Sequence, residues 1–136
     1  MKKAIGLDYG QKRVGVSISD SSQIIATGLT TVINQNIFHF LNNLFLEEEI
    51  DTIVVGYSKN LDGTDSDIST EIENFICKLN SNYPTKKIRT VDERFTSKIA
   101  FRSMIDSGVK KQKRRKKSLI DEVSATIILQ DYLSYK

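Results

Sequence analysis

Three stretches of the chain carry acids where packing alone would not choose them. Asp8 closes the apolar run Ala4-Ile5-Gly6-Leu7, Asp92 and Glu93 follow Ile88-Arg89-Thr90-Val91, and Asp121 lies near the start of a final helical stretch. At about 100° per residue Asp121 shares a stripe with Ala125, Ile128 and Tyr132, apolar enough to face a sheet. In an open α/β sheet ligands bind at the carboxyl ends of the strands, so these acids would gather at one edge. Acids brought together there repel one another unless divalent cations stand between them. Hard oxygen ligands with no cysteine or histidine partners suit Mg²⁺ or Mn²⁺ and not zinc. Each acid also has an ordinary reading: Asp8 as a turn former before Gly10, Asp92 or Glu93 as a partner of Arg94, and Asp121 as part of a capping-box-like start at Ser118. The combination, and no single member, points to a metal site.

Phosphate-binding groups accompany the acids. Gly10 would let backbone approach a phosphate or metal closely, or serve as a plain turn glycine. Lys12 and Arg13 follow it, suited either to phosphate or to the rim of a hairpin. The segment from Gly56 to Thr64 ends at an expected helix N-terminus, another place for an anion. The hexamer from Gly6 to Gln11 lacks the Gly-Lys-Ser/Thr of a phosphate loop. His39 is the sole histidine and lies far in sequence from the acids, so triad chemistry is not expected.

These residues need strands and helices to hold them. Residues 4–7 and 14–19 read as a β-hairpin, and a third strand is expected from Ile24-Ile25-Ala26 to Thr31-Val32-Ile33, interrupted near Gly28. Asn36 can cap a helix with Ile37, Phe40, Leu41, Leu44 and Phe45 on its inner face. Thr52-Ile53-Val54-Val55-Gly56 is a continuous apolar run, as in a strand covered on both faces. Ile68, Ile72, Phe75, Ile76 and Leu79 mark a second helix ended by Pro84, and Ile88–Val91 a further strand. Ile99, Ala100, Met104 and Ile105 suggest a helix stopping at Gly108, and the last helix spans about 118–135. The order is α/β, and helical crossovers make the first, fourth and fifth strands parallel.

Composition narrows the class. A chain of 136 residues, 39% hydrophobic and 27% charged, fits a single domain over 1–136 with a genuine core. No apolar run is long enough to span a bilayer, and Asp8 interrupts any signal-peptide core, so no membrane partner and a cytoplasmic location are expected. One cysteine, Cys77, excludes an internal disulfide and is expected to be a small apolar filler. The net charge of +3 conceals a polarised chain: Lys110, Lys111, Lys113, Arg114, Arg115, Lys116 and Lys117 carry seven positive charges, so the remainder is acidic. An acidic body with one dense basic segment suits a polyanionic partner such as nucleic acid.

Taken together, residues 5–16 (Ile-Gly-Leu-Asp-Tyr-Gly-Gln-Lys-Arg-Val-Gly-Val), Val54-Val55-Gly56 with Asn60-Leu61-Asp62-Gly63-Thr64, Asp92-Glu93-Arg94-Phe95-Thr96-Ser97, and Ile120-Asp121-Glu122-Val123-Ser124-Ala125 resemble the YqgF (RuvX) family of Holliday junction resolvase-like nucleases. The resemblance runs from about residue 4 to residue 133. It implies a ribonuclease H-like fold, with a five-stranded mixed sheet in the order 3-2-1-4-5 flanked by helices. It also implies a metal-dependent phosphodiesterase that matures the 5′ end of 16S ribosomal RNA, or alternatively a resolvase of four-way DNA junctions; a reading from another class is a non-catalytic RNA-binding assembly factor in which the acids serve only structure. Carried over by position, Asp8, Glu93 and Asp121 are the catalytic, metal-holding acids, with Mg²⁺ or Mn²⁺ in a two-ion arrangement. Asp92 ranks below Glu93, because neighbouring strand residues face opposite ways. Lys12, Arg13, Arg94 and the basic run 110–117 are the expected nucleic-acid contacts, in a monomer or homodimer. Gly56-Tyr57-Ser58 and Ser124-Ala125 depart from the Gly-Leu-Pro and paired alanines of many relatives, and neither departure removes a carboxylate.

Overall fold

Alternating and continuous apolar runs dictate where the chain extends, and the computed structural model describes residues 2–57, 69–92 and 117–135. Strands β1 (Lys3–Tyr9), β2 (Arg13–Ser19) and β3 (Ala26–Ile33) form an antiparallel meander. A 3₁₀ turn at Asn34–Asn36 leads into α1 (Ile37–Glu47), followed by β4 (Ile50–Tyr57), α2 (Ser69–Asn82), β5 (Lys87–Asp92) and α3 (Lys117–Tyr135). β4 pairs parallel to β1, and β5 parallel to β4, giving the sheet order β3-β2-β1-β4-β5. Sheet order and strand directions are those expected from the sequence.

The two faces of the sheet are built differently. On one, Ile5, Leu7, Val14, Val16, Ile53 and Val55 pack against Ile37, Leu41 and Leu44 of α1 and Ile72, Phe75 and Leu79 of α2. On the other, Ala4 and Val54 meet Ile128, Leu129 and Leu133 of α3. β4 therefore buries side chains on both faces, which is why its sequence is apolar without alternation. The α3 face of the central strands carries Ala4, Gly6, Gly15 and Ser17, and these small residues let the helix lie close. A β-carbon on Gly6 would stand 2.6–2.8 Å from Ser17 Oγ, Leu129 Cβ and the Ala125 carbonyl. Ser17 Oγ uses that proximity to donate a 2.7 Å hydrogen bond to the Ala125 carbonyl. At the far end, the Gln130 amide accepts from the Ala26 N–H and donates to the Ile24 carbonyl, both at 2.9 Å, tying α3 to the start of β3.

Three local expectations are corrected. The third strand is continuous; the irregularity near Gly28 is a register shift, with Val16 opposite Thr30 and Ser17 opposite Gly28, so Leu29 is an extra residue. Asn36 makes no side-chain cap, because the 3₁₀ turn already delivers the chain into α1. Cys77 is exposed, since Ile72, Phe75 and Leu79 fill the buried stripe of α2 and position 77 falls on the outer side. The helix expected around 99–105 lies outside the described residues.

Candidate active site

Asp8 is the penultimate residue of β1, at the carboxyl end of the central strand. Alternation puts it on the α3 face with Ala4 and Gly6, opposite the buried Ile5 and Leu7. It is half-buried, and its partners in register are Gly15 on β2 and Gly56 on β4. Thus the residues beside it on both flanking strands carry no side chains. A glycine within a strand often marks close approach by a ligand or another backbone, and here two of them bracket one acid.

The direction of α3 relates Asp121 to this position. Ala4 packs in the cluster that holds Leu133, whereas Gly6 lies beneath Ala125 and Leu129, so α3 runs antiparallel to β1. Two further strand residues advance about 6–7 Å, and one helical turn back from Ala125 covers about 6 Å. The backbone of α3 around Asp121, one turn in from the start of the helix, therefore comes level with Asp8. One turn further along α3, the hydroxyl of Ser124 is buried and has no hydrogen-bond partner. Glu122 is half-buried on the side of α3 toward Gly28. Burial pushes its carboxyl above the ordinary range.

Of the phosphate-binding candidates, Arg13 opens β2 two residues before Gly15, on the same face as Asp8 and diagonal to it across the hairpin. Lys12 is exposed in the hairpin turn. Gly10 serves the turn itself: a β-carbon there would lie 2.6 Å from the Arg13 carbonyl. Its own carbonyl accepts a 2.6 Å bond from the Asn34 amide. On β5, Val91 shares the register with Gly56 on Asp8's side of the sheet, and the Tyr57–Asp92 pair comes one step later. Glu93, Arg94 and residues 110–116 lie outside the described residues, and Lys117 is described only as the first residue of α3. His39 is exposed on α1 beside Asn43, at 3.3 Å from its amide nitrogen. Among the described residues no three His, Cys, Asp or Glu side chains form a metal-holding group, Asp8 being the described member of the expected trio.

The donor chemistry nevertheless fits a hard divalent ion: a carboxylate at a strand end, flanked by two glycines that leave its register positions free of side chains, with an unpartnered buried hydroxyl on the helix above. The sequence reading did not set Gly15 and Gly56 beside Asp8. Their signal was a glycine inside each of two apolar strands, and it becomes meaningful only with the register that sets them against Asp8.

Comparison with known proteins agrees with this architecture. The family model described as "RuvX: Holliday junction resolvase" matches residues 2–135. A protein of Flavobacterium psychrophilum named as a pre-16S rRNA nuclease is 48% identical over 136 residues, covering 100% of this chain and 99% of that one. A Bacteroides fragilis protein of the same name is 43% identical over the same shares of both chains. Among solved structures, T. thermophilus RuvC in complex with a Holliday junction substrate superposes with a TM-score of 0.59 at 12% identity, covering 98% of this chain and 94% of that one. That likeness concerns the fold, which is ribonuclease H-like. With its length matched almost end to end by the family model and by relatives 43% and 48% identical, the chain belongs to the RuvX family of resolvase-like nucleases.

Proposed function

We propose that this protein hydrolyses phosphodiester bonds in RNA with Mg²⁺ or Mn²⁺ held by Asp8, Glu93 and Asp121, and that its substrate is the 5′ region of precursor 16S ribosomal RNA. The observation that carries the proposal is the setting of Asp8: a carboxylate at the end of the central strand, between two glycines, level with the part of α3 that bears Asp121. The names of the relatives support the RNA substrate.

When bound, a pair of divalent ions supplies an activated water and stabilisation of the leaving oxygen. The protein's own residues do the rest. Asp8 presents carboxylate oxygens to the ions from a central strand that is paired on both sides, which fixes where those oxygens stand. Glu93, which follows β5 in sequence, and Asp121, one turn into α3, would complete an oxygen set drawn from three parts of the chain. Gly15 and Gly56 leave room for the phosphate to approach the sheet. Arg13, Lys12, Arg94 and the basic run 110–117 neutralise phosphates on either side of the cut and set the register of the strand.

The test is cleavage by wild-type and Asp8→Asn protein of two labelled substrates, precursor ribosomal RNA and a four-way DNA junction, with Mn²⁺ or with EDTA. RNA cutting that needs Mn²⁺ and is lost in the variant is the expected result. Cutting of the junction alone would make the protein a resolvase, and cutting of neither, with tight RNA binding by both proteins, would make it an RNA-binding assembly factor.

A further inference from the structure

On the opposite side of the sheet from Asp8, a groove of about 410 Å³ opens between the end of β1, the 3₁₀ turn, α1 and α2. Tyr9, the residue after Asp8, forms one wall, with Phe38 and Phe75 beside it. The rings are mutually braced: Tyr9 and Phe75 have centroids 4.7 Å apart, and Phe38 meets Phe75 edge-on at 5.6 Å. Around these rings stand the side-chain amides of Asn34, Gln35 and Asn74, the carboxylate of Glu71 and the ammonium of Lys78. Two hydrogen bonds lock the groove to the hairpin that carries the candidate site. The Asn34 amide donates to the Gly10 carbonyl at 2.6 Å, and the Gln11 amide donates to Glu71 Oε1 at 3.1 Å.

From this we infer that the groove receives a nucleobase of the RNA strand, one flanking the phosphate held at Asp8. Aromatic faces bind bases of any identity by stacking, and planar amides match the donor and acceptor edges of a splayed base. Consecutive Cα atoms are about 3.8 Å apart, so the two binding elements hang from neighbouring residues of one strand and face opposite sides of its end. A strand crossing the carboxyl edge of the sheet would leave its phosphate on one side and turn the adjoining base into the groove on the other. Lys78, at the rim, would meet the next phosphate. This inference rests on the proposed nuclease function, and it adds a subsite on the α1/α2 face that holds the strand independently of metal.

The experiment uses full-length Asp8→Asn protein and a single-stranded oligoribonucleotide in which one abasic position is moved stepwise along the strand, with binding read by fluorescence anisotropy. One position is expected to weaken binding about tenfold, as loss of one stacked base would. In a protein that also carries Asn74→Ala, an exposed change on α2, or Tyr9→Leu, that penalty should shrink toward unity. Equal affinity for intact and abasic strands at every position would overturn the subsite while leaving a cleaving wild-type enzyme untouched. A penalty that persists undiminished in both variants would overturn it too, by placing the base elsewhere. A penalty abolished by the variants in a protein whose wild type cuts nothing would uphold the subsite and defeat the nuclease reading. Failure of the strand to bind at all would defeat both.

Discussion

Exchanging Asp8 for asparagine keeps the size of the side chain and removes its charge. Because Asp8 stands at a strand end beside glycines and outside the apolar clusters, Asp8→Asn should leave the thermal midpoint within a few degrees of wild type. Cleavage should nonetheless fall by orders of magnitude, which a labelled-RNA assay with matched protein concentrations would register. Two serines on the same side of the sheet should behave oppositely. Ser17 Oγ donates a 2.7 Å bond to the Ala125 carbonyl, so Ser17→Ala should lose about 1–2 kcal/mol in urea unfolding. Ser124 Oγ is buried without a partner, so Ser124→Ala should be neutral or stabilising in the same assay. Asp8 itself was legible from the sequence as an acid ending an apolar strand. Gly15 and Gly56 were not read as its neighbours, because a glycine's role is set by what lies across the sheet and not by its own flanks.

The close fit of α3 on the sheet depends on a run of small side chains, and Gly6 is its tightest point. Gly6→Ala puts a methyl within 2.6–2.8 Å of Ser17 Oγ, Leu129 Cβ and the Ala125 carbonyl. Backbone is among those obstacles, so α3 must shift, at a cost of about 1–3 kcal/mol or more in unfolding free energy. Since Asp121 rides on that helix, activity should drop further than the fraction of folded protein does, which separates the two effects. The sequence made most elements legible because their apolar periods differ: alternation in β2, continuous runs in β1 and β4, and helical spacing in α1 and α2. It misplaced Cys77, since one small residue at position 77 is compatible with either side of α2 until Ile72, Phe75 and Leu79 claim the inner one. It read a break at Gly28 where a bulge adds Leu29, because glycine signals irregularity without saying which kind.

Seen entire, the chain pairs an acidic body with one basic segment, and that polarity makes a prediction about salt. Neutralising Lys113, Arg114, Arg115, Lys116 and Lys117 should weaken RNA binding and flatten the dependence of log K on log salt, by about 0.7 for each phosphate of a single strand that is no longer neutralised. An unchanged slope in a titration across salt concentrations would remove the segment from the binding surface. The strand directions followed from the sequence because helical crossovers force parallel pairing and the hairpin forces its opposite, whereas the sheet order came with the family resemblance. The packing of α3 also has a consequence for the order in which the protein is made. The Ser17–Ala125 bond joins residues 108 positions apart, and the Gln130 clamp reaches back 104 positions to Ala26. A ribosome that has delivered every strand has therefore still not delivered the cover for Ala4, Gly6 and Val54, nor the turn that holds Asp121. Until α3 emerges, α1 and α2 cover one face of the sheet and the other face needs shielding. A member of a nuclease family thus gains the last layer of its fold only as it leaves the ribosome that made it.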